Sequence, residues 1–216
     1  MNEQAFPTLS VYENGYKMHL LKCKSFHFRI YNICMIFSFF TILLILINIV
    51  VFILIRTGRL KIEDLGMSYH LVFNRKQYYR LLTTAFTHRE ITHILFNMMS
   101  LYNVGSTIEL LFGHFGFLLI YFGSMIIGHI IALQLRHNDR DDYTMSIGAS
   151  GAIYGIIGAY FLLIVKFYGF SAIGEMLRPI ISMVVLSLLP GIDGKSHISC
   201  MAVGMAIAYL LIQFTF

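Results

Sequence analysis

The chain has 216 residues, 57% of them hydrophobic and 12% charged, with 16 Lys and Arg against 11 Asp and Glu and a net charge of +5. A soluble domain carries about 25% charged residues, so this chain cannot cover a water-facing surface; that excludes a soluble globular enzyme and a disordered chain and points to a polytopic membrane protein. The length accommodates roughly six spans of about 20 residues with their connections, and the positive charge sits in a tail and loops, where it reads as contact with lipid headgroups and not as a nucleic-acid groove.

In chain order, residues 1–33 form a polar, basic tail with Lys17, Lys22, Lys24 and Arg29. The apolar run Cys34 to Ile55 exceeds the roughly 7–15 residues of a signal-peptide core, so it reads as a true first span facing lipid. The connection from Arg56 to Arg89 is long and amphipathic, and Tyr69, Phe73, Tyr78, Tyr79 and Phe86 within it suit the membrane interface. Span two, about 91–111, contains His93, Asn97, Ser100, Asn103 and Glu109. Span three, 115–135, is mostly apolar, and the charged loop 136–142 follows it. Span four, 146–165, opens with Gly148-Ala149-Ser150-Gly151-Ala152-Ile153-Tyr154-Gly155. Span five, 176–189, is short and ends at Pro190, and span six, 197–216, begins with His197. The predicted fold is an all-α polytopic membrane protein, with a tail at 1–33 and a membrane domain at 34–216. Cys23, Cys34 and Cys200 are too scattered for a disulfide framework or a zinc site. Charge alone leaves orientation open: the side holding both ends carries six Lys and Arg and the other nine, or three once the first loop is set aside as embedded.

Polar side chains inside spans are costly, and each calls for a partner or a function. His93 and Asn97 are four apart, as are Ser150 and Tyr154, so each pair projects from one helix face. In an up-and-down bundle the starts of spans two, four and six lie on one side, which brings His93, Asn97, Ser150, Tyr154 and His197 to one depth. Gly151, Gly155 and Gly158 form a small-residue stripe on span four, and Cys200 and Gly204 offer a matching face on span six, so close packing there lets His197 reach Ser150.

These residue types support acyl transfer. A serine hydroxyl becomes a nucleophile when a base takes its proton, and a neutral imidazole within hydrogen-bond reach can do so and later protonate the leaving amine. The oxyanion donors on offer are the Asn97 amide, the His93 imidazole and the backbone N–H of Ser150 at a helix start. Asp193, four residues before His197, lies in a loop and is a weak candidate for a third member. His88 and His93 are five apart, too far round a helix to share a zinc ion, so no metal is expected. The spans hold no pair of aspartates for an aspartyl mechanism.

Gly148-Ala149-Ser150-Gly151, His93-Ile94-Leu95-Phe96-Asn97 and Asp193-Gly194-Lys195-Ser196-His197 resemble, in order, three motifs of the rhomboid intramembrane serine proteases, and Tyr79-Arg80 resembles the Trp-Arg pair of that family's first loop. The resemblance covers roughly residues 70–210. It implies a six-transmembrane-helix rhomboid-like bundle with a long membrane-embedded first loop. It further implies Ser150 as nucleophile, His197 as general base, an oxyanion hole of His93, Asn97 and the Ser150 amide beside Gly148, and Tyr154 stacked on the histidine. By the same resemblance the protein needs no cofactor or metal, cleaves transmembrane segments of single-pass or polytopic membrane proteins near the non-cytosolic face, and keeps its N-terminus in the cytosol. Two positions depart from the pattern: Tyr79 replaces Trp, and Cys200 stands where the family usually has glycine, a change expected to push span six slightly away from span four. The alternatives are a catalytically inactive rhomboid-like protein that binds membrane clients, whose typical members lack the serine or the histidine, and a small channel or transporter subunit.

Overall fold

The computed structural model describes residues 10–13, 16–19, 38–139, 142–169 and 193–215, in two units, residues 1–36 and 37–216. In the first unit, Ser10–Glu13 (β1) and Tyr16–His19 (β2) pair antiparallel, with Ser10 opposite His19. The sequence between them is Asn14-Gly15, a pair that favours tight hairpins. This strand pair was not anticipated for the basic tail, whose Lys22, Lys24 and Arg29 lie outside the described residues.

Among its described residues the second unit is helical apart from turns and an isolated bridge between Met67 and Ser146. Its long helices are α1 (Phe39–Arg56), α2 (Ile91–Ser100), α3 (Ser106–Asn138), α4 (Ser150–Tyr168) and α5 (Gly194–Thr215), with a wider π turn at Leu101–Gly105 between α2 and α3. The expected fifth span, 176–189, lies outside the described residues, as do residues 34–37 of the expected first span.

Helix runs from Ile91 to Asn138, 48 residues. At about 1.5 Å per residue a straight rod of that length would be more than twice the roughly 30 Å hydrocarbon thickness. Gly113 removes the conflict. Its φ of 69° and ψ of 175° are not helical, and the chain doubles back there. His93 lies against Gly148, Gly116 just beyond the turn lies near Leu211, and His129 returns to Gly151. Residues before and after Gly113 therefore run antiparallel, and the break falls between the expected spans 91–111 and 115–135.

α4 is the central helix and packs on α3 and α5. Ala152, Ile153, Ile156, Ile157 and Ala159 are buried. The backbones of α4 and α5 touch: a Cβ on Gly204 would sit 2.0 Å from the Gly155 carbonyl oxygen, and one on Gly155 would sit 1.8 Å from Ser124 Oγ of α3. Such contacts maximise dispersion where lipid supplies no hydrophobic drive. Cys200 is fully buried, yet it meets glycine on α3: a Cβ at Gly128 would lie 2.6 Å from the Cys200 sulfur. The sulfur also faces α4, where a Cβ on Gly151 would lie 3.3 Å from it, so Cys200 sits between glycines of two helices.

α1 lies at the edge and is held at its start. The buried Glu109 carboxylate accepts the backbone N–H groups of Phe40 (2.9 Å) and Thr41 (2.8 Å) and the Thr41 hydroxyl (2.7 Å), and pairs with His114 Nδ1 at 2.6 Å. A carboxylate at this position satisfies amides that have no helical partner and meets the positive end of the helix dipole.

The connection 57–90 folds as short turns, Ile62–Leu65, His70–Asn74, Arg80–Thr83 and Thr84–Phe86. Arg80 is buried and donates to the carbonyls of Glu63 (2.8 Å) and Gly66 (2.6 Å) and to Gln77 Oε1 (2.6 Å), while Tyr78, Tyr79 and Leu82 are exposed. The loop is clamped onto the segment before α4: Met67 and Ser146 exchange backbone bonds, Thr84 Oγ1 donates to the Ser146 carbonyl at 2.7 Å, and Gly148 N–H donates to the Thr84 carbonyl at 2.9 Å.

Candidate active site

α4 begins at Ser150, later than the expected 146, because Ser146 is held extended against Met67 and Gly148 takes a φ of 112° that L side chains avoid. Glycine is required at 148 for space as well: a Cβ there would lie 2.7 Å from His93 Nε2 and 3.5 Å from Asn97 Nδ2. Ser150 is the first residue of its helix, where backbone amides lack a carbonyl four residues back.

α5 brings the imidazole. His197 Nε2 and Ser150 Oγ are 2.7 Å apart, and the Tyr154 ring, one turn beyond Ser150, stacks on the His197 ring with centroids 4.2 Å apart and planes 6° from parallel. His197 is 6% exposed, and its Nδ1 finds no hydrogen-bond partner among the described residues. Ser150 and His197 line a small polar cavity with Thr84, His129, Ser146, Asp193 and Ser196. His93 and Asn97 lie beside Gly148, two residues before Ser150. The structure therefore brings together all six candidates, Gly148, Ser150, Tyr154, His93, Asn97 and His197.

Among the described residues Asp193 makes no hydrogen bond to the His197 ring. Its carboxylate accepts Ser146 Oγ (2.5 Å) and the Ser196 backbone N–H (3.1 Å), and forms an ion pair with Arg136. Burial pushes its pKa up, but the Arg136 bond and charge, with Ser146 and the Ser196 amide, outweigh this and hold it below the usual carboxylate range.

His88 went unrecognised in the sequence, where it figured only as half of a rejected zinc pair. It is fully buried just before α2, and its Nε2 accepts Asn97 Nδ2–H at 3.0 Å and the Ala149 backbone N–H at 3.4 Å, with the His93 ring edge-on at 5.0 Å. Burial, reinforced by His93, pushes its pKa down to about 3 against a smaller opposing effect of the Phe86 carbonyl. The ring stays neutral at physiological pH and can act as an acceptor that orients the Asn97 amide. The one available signal was the spacing His88, His93, Asn97 across a helix start. Arg136, Ser146 and His129 carried no signal at all, since each acquires its meaning from a helix distant in sequence.

A family model for the rhomboid domain matches residues 75–214. The chain belongs to the rhomboid family. Among similar rhomboids, YdcA of Bacillus subtilis (strain 168) is 31% identical over 157 residues, covering 70% of this chain and 76% of YdcA. The rhomboid protease GluP of the same bacterium is 35% identical over 125 residues, 56% of this chain and 24% of GluP. The rhomboid-type serine protease 2 of Emericella nidulans is 29% identical over 144 residues, 63% of this chain and 27% of that protein. The chain thus spans most of YdcA and about a quarter of the other two. Family and apolar helices together make this rhomboid an integral membrane protein: among the described residues, four helices are long and apolar enough to cross a bilayer.

Proposed function

We propose that this rhomboid is a serine endopeptidase that hydrolyses peptide bonds in transmembrane segments of other membrane proteins. The observation that carries the reading is the 2.7 Å contact between Ser150 Oγ and His197 Nε2, with the imidazole braced on Tyr154. His197 takes the hydroxyl proton as Oγ attacks the scissile carbonyl carbon, and the charge moves to the carbonyl oxygen. Donors for that oxygen are the Ser150 amide, Asn97 Nδ2 and His93, each such donor contributing about 2.7–4 kcal/mol to the transition state. Collapse breaks the C–N bond, and the amine leaves with the proton from His197. Water then attacks the acyl-enzyme, gives a proton to His197, and releases the carboxylate as Oγ recovers its proton.

A substrate helix must unwind to expose its carbonyl, so segments with Gly, Pro or small residues at the cleavage point are the favoured substrates. The first loop, with Tyr78, Tyr79 and Leu82 outward, is read as embedded sideways in the membrane, and the N-terminus as cytosolic. The test is turnover of a fluorescent transmembrane substrate by purified protein in detergent. Ser150→Ala should lower the rate by at least ~10⁴-fold with helical content intact. No turnover by the unaltered chain, together with retained binding of membrane clients, would favour the inactive client-binding alternative. Cleavage indifferent to replacing the small substrate residues by Leu would remove the unwinding requirement.

A further inference from the structure

We propose that Asp193 is a positioning residue of the dyad: held by Arg136 and Ser146 while it caps α5, its carboxylate sets His197 opposite Ser150. This rests on the protease reading above.

The carboxylate ties the start of α5 to the extended segment before α4 and to the end of α3. On the side of α5, Oδ1 accepts the Ser196 N–H at 3.1 Å, the geometry of an N-cap, and the Asp193 carbonyl accepts the His197 N–H at 3.1 Å. The first turn of α5, which carries the base, therefore hangs from Asp193. On the other side, Oδ2 accepts Ser146 Oγ, four residues before the nucleophile, and pairs with Arg136 at the end of α3. The anchor itself is rigid. Ser146 donates to the Met67 carbonyl at 2.8 Å, and its own carbonyl accepts Met67 N–H (3.1 Å) and Thr84 Oγ1 (2.7 Å). The Arg136 side chain is 4% exposed and that of Asp193 18%, so the ion pair is largely withdrawn from water.

The rest of the α4–α5 contact explains why such a tie is needed. Where Gly155 meets Gly204 the backbones touch directly. Small faces permit a close approach but offer few side-chain stops against sliding along the helix axis. A misplacement of about 1 Å can cost ~100-fold in rate. The glycines set how near the two helices lie, and the Asp193 cluster sets their register at the end where the dyad sits.

The experiment uses the full chain in detergent, with a fluorescent transmembrane substrate for kcat and KM and a fluorophosphonate probe to count reactive Ser150. Asp193→Asn keeps an acceptor for the cap but removes the charge; Ser146→Ala removes one hydroxyl and leaves no unpaired ion. Asp193→Asn should lower kcat per labelled site ~10–100-fold with KM within about twofold, and Ser146→Ala ~3–10-fold in the same sense. The double variant should be no worse than Asp193→Asn alone, because both act through one tie. If Asp193→Asn does not fold, Ser146→Ala decides. Wild-type kcat per labelled site in the variants that fold, or an effect confined to KM, overturns the proposal and leaves the protease reading intact. An unaltered chain that neither labels nor turns over sinks that reading, and the positioning role with it.

Discussion

α1 and α4 are both apolar helices of similar length, yet they occupy opposite situations. α1 is Ile, Leu, Phe and Val almost throughout, and only 17% of its most apolar 18-residue stretch is buried in the protein; in α4, rich in Gly and Ala and carrying Ser150 and Tyr154, the figure is 61%. In water the more hydrophobic helix would be the buried one. In a bilayer lipid covers large apolar side chains as well as protein does, so burial goes to the helix whose small residues allow close contact and whose polar groups need partners. The two helices are also gripped differently: α4 by glycine contacts along its length, α1 by a carboxylate at its start.

The comparison is broken most severely at the glycine contact. Gly155→Leu places a side chain where Ser124 Oγ already stands, and should lower thermal stability in detergent by about 3 kcal/mol and abolish turnover. A variant with wild-type melting would mean that α4 does not depend on close approach. Next comes the grip on α1. Glu109→Gln removes the charge that collects the Phe40 and Thr41 donors and His114, and should cost about 2 kcal/mol. Proteolysis or hydrogen exchange should show α1 loosening before the α3–α4–α5 core.

Acid sharpens the contrast from the buried side. His88 has a folded pKa pushed down to about 3 from an ordinary 6.5. Below pH 6.5 the unfolded chain therefore binds a proton that the folded chain refuses, and stability falls as pH drops from 6.5 towards 3. Asp193, also depressed, adds a second loss as pH falls below its ordinary 3.8. Chemical-denaturation midpoints between pH 7 and 4 should decline in the unaltered chain and decline less in His88→Gln; equal slopes would remove His88 as the cause. The smallest effect belongs to the outer face of α1: Leu46→Ala, at a side chain 53% exposed, should change stability by no more than ~0.5 kcal/mol. A larger cost would mean that a protein partner, and not lipid, covers that face.

Much of the candidate site could be read in advance because its residues come in helical pairs. His93 with Asn97, and Ser150 with Tyr154, share faces by the 3.6-residue repeat, and alternate helices of an up-and-down bundle start at one level. What could not be read is where a helix start is overruled by its neighbours. Ser146 belongs to the expected fourth span by composition but is held extended by Met67, and His88 lies outside the helix that would have given its spacing meaning. The departure at Cys200 was visible in the sequence, while the glycines that face it, Gly128 and Gly151, lie on other helices. Asp193 was legible as a carboxylate near the histidine, and its actual partners were not.

From the residues alone came the membrane as solvent, the helical periodicity and the chemical kinds of the reacting groups, since each depends on composition or on short spacings along one chain segment. The contacts among Ser150, His197, Asp193 and Arg136 were decided by tertiary structure. The Ser150–His197 contact joins residues 47 positions apart and the Arg136–Asp193 pair residues 57 apart, and only the packing of small faces in lipid brings such groups within hydrogen-bond range.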